Sequence, residues 1–135
     1  MAVWTTPVTS RGFGMDSYNV SDLNRVEGNA EYLSFELGEI GYTNTMTTKT
    51  NWNELDFFTE SEDERYISNI ENLKSLVAIE TVLPSSLEDI TKTKANTIES
   101  VQLEIKNRVE RIKNNRLFAS MPASNNRILQ FIRRG

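Results

Sequence analysis

An arginine, an asparagine and a glutamate recur in this sequence at fixed spacing: Arg25, Asn29 and Glu31 return as Arg65, Asn69 and Glu71. Carboxylates repeated on related helices can hold a metal between them, and a guanidinium beside an amide can grip a carbonyl or an anion. The helical sites that bind two metals through glutamate also use histidine, and this sequence has neither histidine nor cysteine. Those two absences remove the commonest metal ligand, the usual general base, thiolate chemistry and disulfides. No glycine-rich phosphate loop follows a strand, and no serine sits in a nucleophile elbow. The expectation is a protein that is not an enzyme, with no catalytic residue, no metal and no cofactor. On a helix, residues four apart share a face, so Arg25 lies with Asn29 and Arg65 with Asn69, while Glu31 and Glu71 point elsewhere. These pairs are expected to bond helix ends and loop carbonyls of a neighbouring unit, fixing the angle between units.

The elements that must position them form an internal repeat. "DSYNVSDLNRVEGNAEYL" (16–33) and "DFFTESEDERYISNIENL" (56–73) align without a gap. Asn19 fits a helix N-cap with Asp22 as its capping-box partner, and Tyr18 stands where a hydrophobic staple would. The second copy has Thr59, Glu62 and Phe58 at those places. Trp4 and Trp52 precede the two copies and read as anchors. A weaker third copy begins after Pro84, with Ile90 at the aromatic position and Thr91 at the cap. There, Ala95-Asn96-Thr97-Ile98-Glu99 matches Leu23-Asn24-Arg25-Val26-Glu27.

Apolar periodicity then sets three helices, predicted over about 19–40, 60–80 and 91–118. In the first, Leu23, Val26, Ala30, Leu33, Leu37 and Ile40 alternate by three and four, a heptad-like seam. That seam fits either a bundle within one chain or a trimer. Gly38 and Gly41 offer places to end this helix. Tyr66, Ile67, Ile70, Leu73, Leu76 and Val77 form a wider stripe on the second helix, as for a helix touching two neighbours. The fold class expected is all-α: three N-capped helices, an extended N-terminal lead-in and a C-terminal arm. Residues 1–118 form a helical repeat domain with units at about 4–42, 43–83 and 84–118. Trp4, Tyr18, Arg25, Asn29, Trp52, Phe58, Arg65 and Asn69 are assigned to packing between units.

The charge is divided. Residues 1–105 hold seven Lys and Arg against eighteen Asp and Glu, a net of −11; residues 106–135 hold eight against one, a net of +7. One reading has the basic end screening the acidic body of its own chain or of a neighbour. The sharper alternative is nucleic-acid binding through Lys106, Arg108, Arg111, Lys113, Arg116, Arg127, Arg133 and Arg134. Residues 119–135 form an arm that opens on the break "SMPAS" (120–124). Leu117, Phe118, Ile128, Leu129, Phe131 and Ile132, with Arg133 and Arg134, are expected to dock on a partner, because so short a segment cannot bury them alone. No apolar run approaches the ~20 residues of a membrane span, nothing after Met1 reads as a signal peptide, and no membrane association is expected.

"YNVSDLNRVEGNAEYL" resembles a helical module of tail-fibre and baseplate-associated structural proteins from phages and phage-like particles of Gram-positive bacteria. Trp4, Tyr18, Asn19, Asp22 to Glu27, Asn29 and Leu33 carry the likeness. Trp52, Asp56, Phe58, Thr59, Arg65, Asn69, Ile70, Glu71 and Leu73 carry it again, and "LPSSLEDITKTKANTIE" looks like a third unit. The likeness spans about residues 4–105. It implies a virion or tail-particle component, assembled in the bacterial cytoplasm with other tail, baseplate or fibre proteins, often as a homotrimer. Such proteins commonly continue into a β-rich receptor-binding region, whereas this sequence runs into a basic arm. The expectation is therefore an adaptor: a baseplate, fibre-attachment or neck component. A small nucleic-acid-binding phage protein and a helical assembly chaperone are the alternatives.

Overall fold

A computed structural model of the chain describes residues 3–12 and 18–119, with the side chains of residues 117–119 outside that description. Three helices, α1 (Val20–Glu39), α2 (Glu60–Leu76) and α3 (Lys92–Ala119), and no strand among the described residues make an all-α fold. Each helix starts on a side-chain cap. The Asn19 side chain accepts from the Ser21 N–H at 3.0 Å, and Asp22 accepts from the Asn19 N–H at 2.8 Å, closing a capping box. Thr59 Oγ1 accepts from Glu62 N–H at 3.2 Å, and Thr91 Oγ1 from Lys94 N–H at 3.1 Å. Each such cap contributes about 1 kcal/mol. Glu62 does not close the box; its carboxylate turns to Arg65 at 2.8 Å.

The helix ends follow one design. Gly41, at φ +95°, lets the Tyr42 N–H donate to the Leu37 carbonyl and the Gly41 N–H to the Gly38 carbonyl. Ala78, at φ 56°, closes α2 in the same way, with Ile79 N–H on the Lys74 carbonyl and Ala78 N–H on that of Ser75. α2 therefore stops at Leu76, short of the predicted end near residue 80. Its buried stripe, Tyr66, Ile70, Leu73 and Val77, would next need an apolar residue at 80 or 81, and these are Glu80 and Thr81. Leaving the helix instead lets Ile79 and Leu83 turn inward, where both are buried.

The three helices pack against one another, and all run in the same direction: beside α3, the start of α2 is met by Leu87 at Asp63, ahead of α3, and its end by Arg108 of α3 at the Val77 carbonyl. Arg25 meets Glu99 near the N-terminal ends of α1 and α3, and Glu36 meets Lys113 near their C-terminal ends. Arg65 of α2 likewise meets Glu27 of α1. The heptad-like seam is buried along its whole length, with Leu33 and Leu37 fully inaccessible and Ile40 at 7%. It faces Ile70 and Leu73 of α2 and Ile98, Val101, Ile105 and Val109 of α3 in one core. Each fully buried aliphatic side chain there contributes about 1.5–3 kcal/mol. The seam is thus filled within a single chain. Because the helices are parallel, the chain must return to its starting end after α1 and again after α2, and it does so in extended segments lying in grooves between helices; residues 3–12, which precede α1, lie in the remaining groove in the same direction as these return segments.

Candidate functional site

The repeated polar residues converge in two of those grooves. In the first, between α3 and α1, residues 3–12 run antiparallel to both helices. Asn29 holds Thr5 at both backbone atoms, accepting its N–H at 2.9 Å and donating to its carbonyl at 2.8 Å. Asn96 holds Arg11 in the same manner, at 3.0 and 3.3 Å. Between these clamps, Glu99 Oε1 accepts the Val8 N–H at 3.0 Å. The Arg11 guanidinium donates to Glu99 Oε2 and to Asp22 Oδ1. Arg25 meets Glu99 through Nε at 2.6 Å and Nη2 at 2.8 Å, and also reaches Asp22 at 2.6 Å.

The second groove, between α1 and α2, holds residues 43–54 by the same parts. Asn24 accepts the Trp52 N–H at 2.7 Å and donates to the Trp52 carbonyl at 3.0 Å. Glu27 Oε1 accepts the Lys49 N–H at 3.0 Å, and Glu27 Oε2 accepts the Trp52 indole N–H. Arg65 bonds both oxygens of Glu27 and the Thr47 carbonyl, and Asn69 donates to that same carbonyl at 2.8 Å.

The two carboxylates are equivalent bond for bond. Glu99 is 0% and Glu27 2% exposed, and each accepts four hydrogen bonds: one backbone N–H, one side chain of the return segment and two from a helix arginine. Four bonds fill the lone-pair positions of a carboxylate. A carboxylate buried without partners costs several kcal/mol, so helix pair, return segment and arginine are satisfied only together. With its lone pairs filled, neither carboxylate can ligate a cation without opening its groove. The Glu99 bond, outweighing the cost of burial, holds the Arg25 guanidinium well above its ordinary pKa, and the Glu27 bond does the same for Arg65. Burial pushes the Asp22 carboxyl up, but bonds from the Asn19 N–H, Arg11 and Arg25 leave it below the ordinary value.

The third groove, between α2 and α3, lacks this machinery. At the positions of Asn24 and Glu27, α2 carries Glu64 and Ile67; at those of Arg25 and Asn29, α3 carries Thr97 and Val101. Its return segment is held instead by buried Ile79 and Leu83, by Arg108 donating to the Val77 carbonyl at 2.7 Å, and by Leu87 N–H donating to Asp63 at 2.9 Å.

Of the residues assigned to packing between units, Arg25, Asn29, Arg65 and Asn69 come together in the grooves as described. Trp52 is buried against Phe58, with ring centroids 5.3 Å apart, and Phe58 meets the buried Tyr66 edge-on. The Tyr18 hydroxyl bonds that of Tyr66 across the N-terminal end of the bundle. Trp4 is half-buried against Tyr32 under the Lys106 ammonium, far from the place of Trp52. The counterpart of Trp52 is Arg11, which lies over the Tyr18 ring at 5.6 Å as Trp52 lies against Phe58. The parts not assigned to packing between units are Glu27, Glu99, Asn24, Asn96 and Arg11, of which all but Arg11 lie in the matched stretches 23–27 and 95–99. Their signal is the repeated Asn-x-x-Glu at 24–27 and 96–99.

Among the cations weighed for phosphate contact, Lys106 pairs with Glu110, Arg108 with the Val77 carbonyl, Lys113 with Glu36 and Arg116 with the Ile40 carbonyl. Arg127, Arg133 and Arg134, with Ile128, Leu129, Phe131 and Ile132, lie outside the described residues, as do the side chains of Leu117 and Phe118. The bundle's N-terminal end carries a cavity of about 310 Å³, with Leu23, Trp52, Phe58, Leu87 and Ile90 in its wall. Among the described residues no group of His, Cys, Asp and Glu is arranged to hold a metal, and no helix is long and apolar enough to cross a membrane. Comparison with protein-family models, with curated proteins and with solved structures finds no match for the chain.

Proposed function

We propose that this chain is a non-catalytic assembly protein of a phage or phage-like tail particle, an adaptor at the baseplate or at a fibre attachment. The observation that carries the non-catalytic part is the destination of the repeated polar residues. Arg25, Asn29, Arg65 and Asn69 grip backbone and saturate buried carboxylates, leaving none of them to meet a substrate. A chain that locks extended segments between parallel helices is a rigid spacer with a defined polarity, which suits a part of an ordered particle. The tail-particle setting rests on the resemblance carried by residues 4–105. Other tail, baseplate or fibre proteins are the partners in this reading, and homo-oligomer contacts, a trimer included, use surfaces other than the seam from Leu23 to Ile40.

Gold-labelled antibody against the chain, applied to particles purified from an induced or infected culture, tests this reading. Label at one end of a tail supports it. Particles without label, in a lysate that contains the protein, reject it in favour of an assembly chaperone or a nucleic-acid-binding protein. Deleting residues 125–135 is expected to leave a folded protein that no longer joins the particle.

A further inference from the structure

The N-terminal end of the bundle is both apolar and acidic. Beside the 310 Å³ cavity, and sharing Phe58 and Leu87 with it, lies a broader one of about 510 Å³ walled by Glu60, Asp63, Glu64 and Glu88. The loop that supplies Asp56 and Phe58 to this region also holds Leu55 and Phe57, which are 90% and 88% exposed. Lys92 and Lys94, in the first turn of α3, are the cations nearest in sequence. Large apolar side chains left in water beside a concave apolar surface mark a contact site. Its ring of carboxylates calls for an occupant that is apolar and flanked by positive charge.

The chain itself contains such a segment. Residues 127–134, Arg-Ile-Leu-Gln-Phe-Ile-Arg-Arg, set four large apolar side chains between arginines, and no acid follows Glu110. We propose that the acidic, apolar end of one copy receives residues 127–134 of a second copy, joining copies head to tail. The same copy's segment is poorly placed to reach. α3 is 28 residues long, so its two ends stand about 42 Å apart at ~1.5 Å per residue. From Ala119 to Phe131 there are twelve residues, which span ~43 Å at most when fully extended. A segment drawn so straight has no length left to turn back and enter the cavity. The contact joins two different surfaces and therefore propagates, building open chains or rings rather than a closed dimer.

This inference takes its biological setting from the assembly reading, but its test uses purified protein alone, so the two fail separately. A fluorescein-labelled peptide of residues 125–135 is titrated with the full chain at low salt, and the full chain alone is followed by sedimentation velocity over a range of concentrations. The expected results are saturable peptide binding and a sedimentation coefficient that rises with concentration past that of a dimer. Both should weaken as salt rises. Replacing Glu60 and Glu64 by lysine, on the exposed face of α2, is expected to weaken peptide binding about tenfold with the helical signal unchanged. Ile128→Ser with Phe131→Ser in the full chain is expected to abolish the concentration dependence.

Equal affinity for the charge-reversed protein overturns the proposal. So does equal binding of a peptide with Ile128, Leu129, Phe131 and Ile132 all changed to serine, which would show attraction by charge alone. A full chain that stays monomeric at every concentration and does not take the peptide also overturns it, whether its own arm fills the cavity or nothing does.

Discussion

Arg11 and Trp52 occupy the same place in the two grooves. Each has its backbone clamped by an asparagine of a helix flanking its groove, Asn96 of α3 for Arg11 and Asn24 of α1 for Trp52. Each side chain lies by the aromatic residue before the next helix and donates to Oε2 of a buried glutamate. A cation and a neutral indole thus complete the same four-bond shell around two carboxylates. The difference between them is charge: Glu99 and Asp22 share two guanidinium groups, whereas Glu27 and Glu62 share one.

That difference ranks the two carboxylates. Glu99→Gln leaves Arg11 and Arg25 with only Asp22 as anionic partner in a buried site, and is expected to cost about 3–5 kcal/mol. Glu27→Gln strands only Arg65, which keeps Glu62, and should cost about 1–3 kcal/mol. Urea melts of the two variants test the order. Equal losses would mean that the charge carried by Arg11 adds nothing in the first groove.

Stability should be flat near neutrality and fall at both extremes. Bonds from Lys113 and Tyr32 hold the Glu36 carboxyl below its ordinary 4.5, and Asp22 lies below its ordinary 3.8. A carboxyl depressed on folding stabilises the protein above the unfolded pKa, and that contribution is lost as pH falls through the folded value. The acid loss therefore begins near pH 4.5. At the other end, burial pushes the Tyr18 and Tyr66 phenols above their ordinary 10.0. Both stay neutral in the folded chain while the unfolded chain ionises, so stability falls as pH rises beyond 10. Thermal melts across pH should show both limbs, and Tyr18→Phe with Tyr66→Phe should flatten the alkaline one selectively.

Ala78 and Gly41 close their helices with the same pair of hydrogen bonds, but only Gly41 is suited to a positive φ. An L side chain in the left-handed region costs about 1–2 kcal/mol, partly offset by the freedom glycine adds to the unfolded chain. Ala78→Gly should stabilise the protein by about 0.5–1 kcal/mol, and Gly41→Ala should destabilise it by a similar amount. Denaturation midpoints of the two single variants check both signs. A destabilising Ala78→Gly would show that the alanine methyl is needed where it stands.

The helices are legible in the sequence because caps and apolar phase are local. Asn19, Thr59 and Thr91 stand where each helix starts, and the seam from Leu23 to Ile40 is periodic over its whole length. The grooves are harder to read because each is built from two helices that use different faces. Aligning α1 with α2 exposes the Arg25 and Asn29 face; aligning α1 with α3 exposes the Asn24 and Glu27 face. Only α1 carries both, and neither comparison alone contains a complete groove. Similarity of residue type also misleads at Trp4, which matches Trp52 by eye, while the register of the return segments pairs Trp52 with Arg11. No local pattern predicts an arginine in place of a tryptophan. The equivalence appears only when Asn24 and Asn96 are seen clamping the two backbones.

The same equivalence predicts an unusual tolerance. Arg11→Ala removes bonds to Glu99, Asp22 and the Val8 carbonyl together with the cover over Tyr18. It opens a buried shell around a carboxylate and should cost about 3 kcal/mol. Arg11→Trp instead gives the first groove the composition of the second, with an indole N–H for Glu99 and an aromatic face for Tyr18. Arg25 remains to neutralise Glu99, as Arg65 neutralises Glu27, and also to pair with Asp22. The tryptophan variant should therefore lie within about 1 kcal/mol of the parent, far above the alanine variant, although it is the larger change in shape. Chemical denaturation of the pair decides it. If Arg11→Trp falls as low as Arg11→Ala, the grooves share a backbone pattern but not an interchangeable site, and the second guanidinium is what the first one requires.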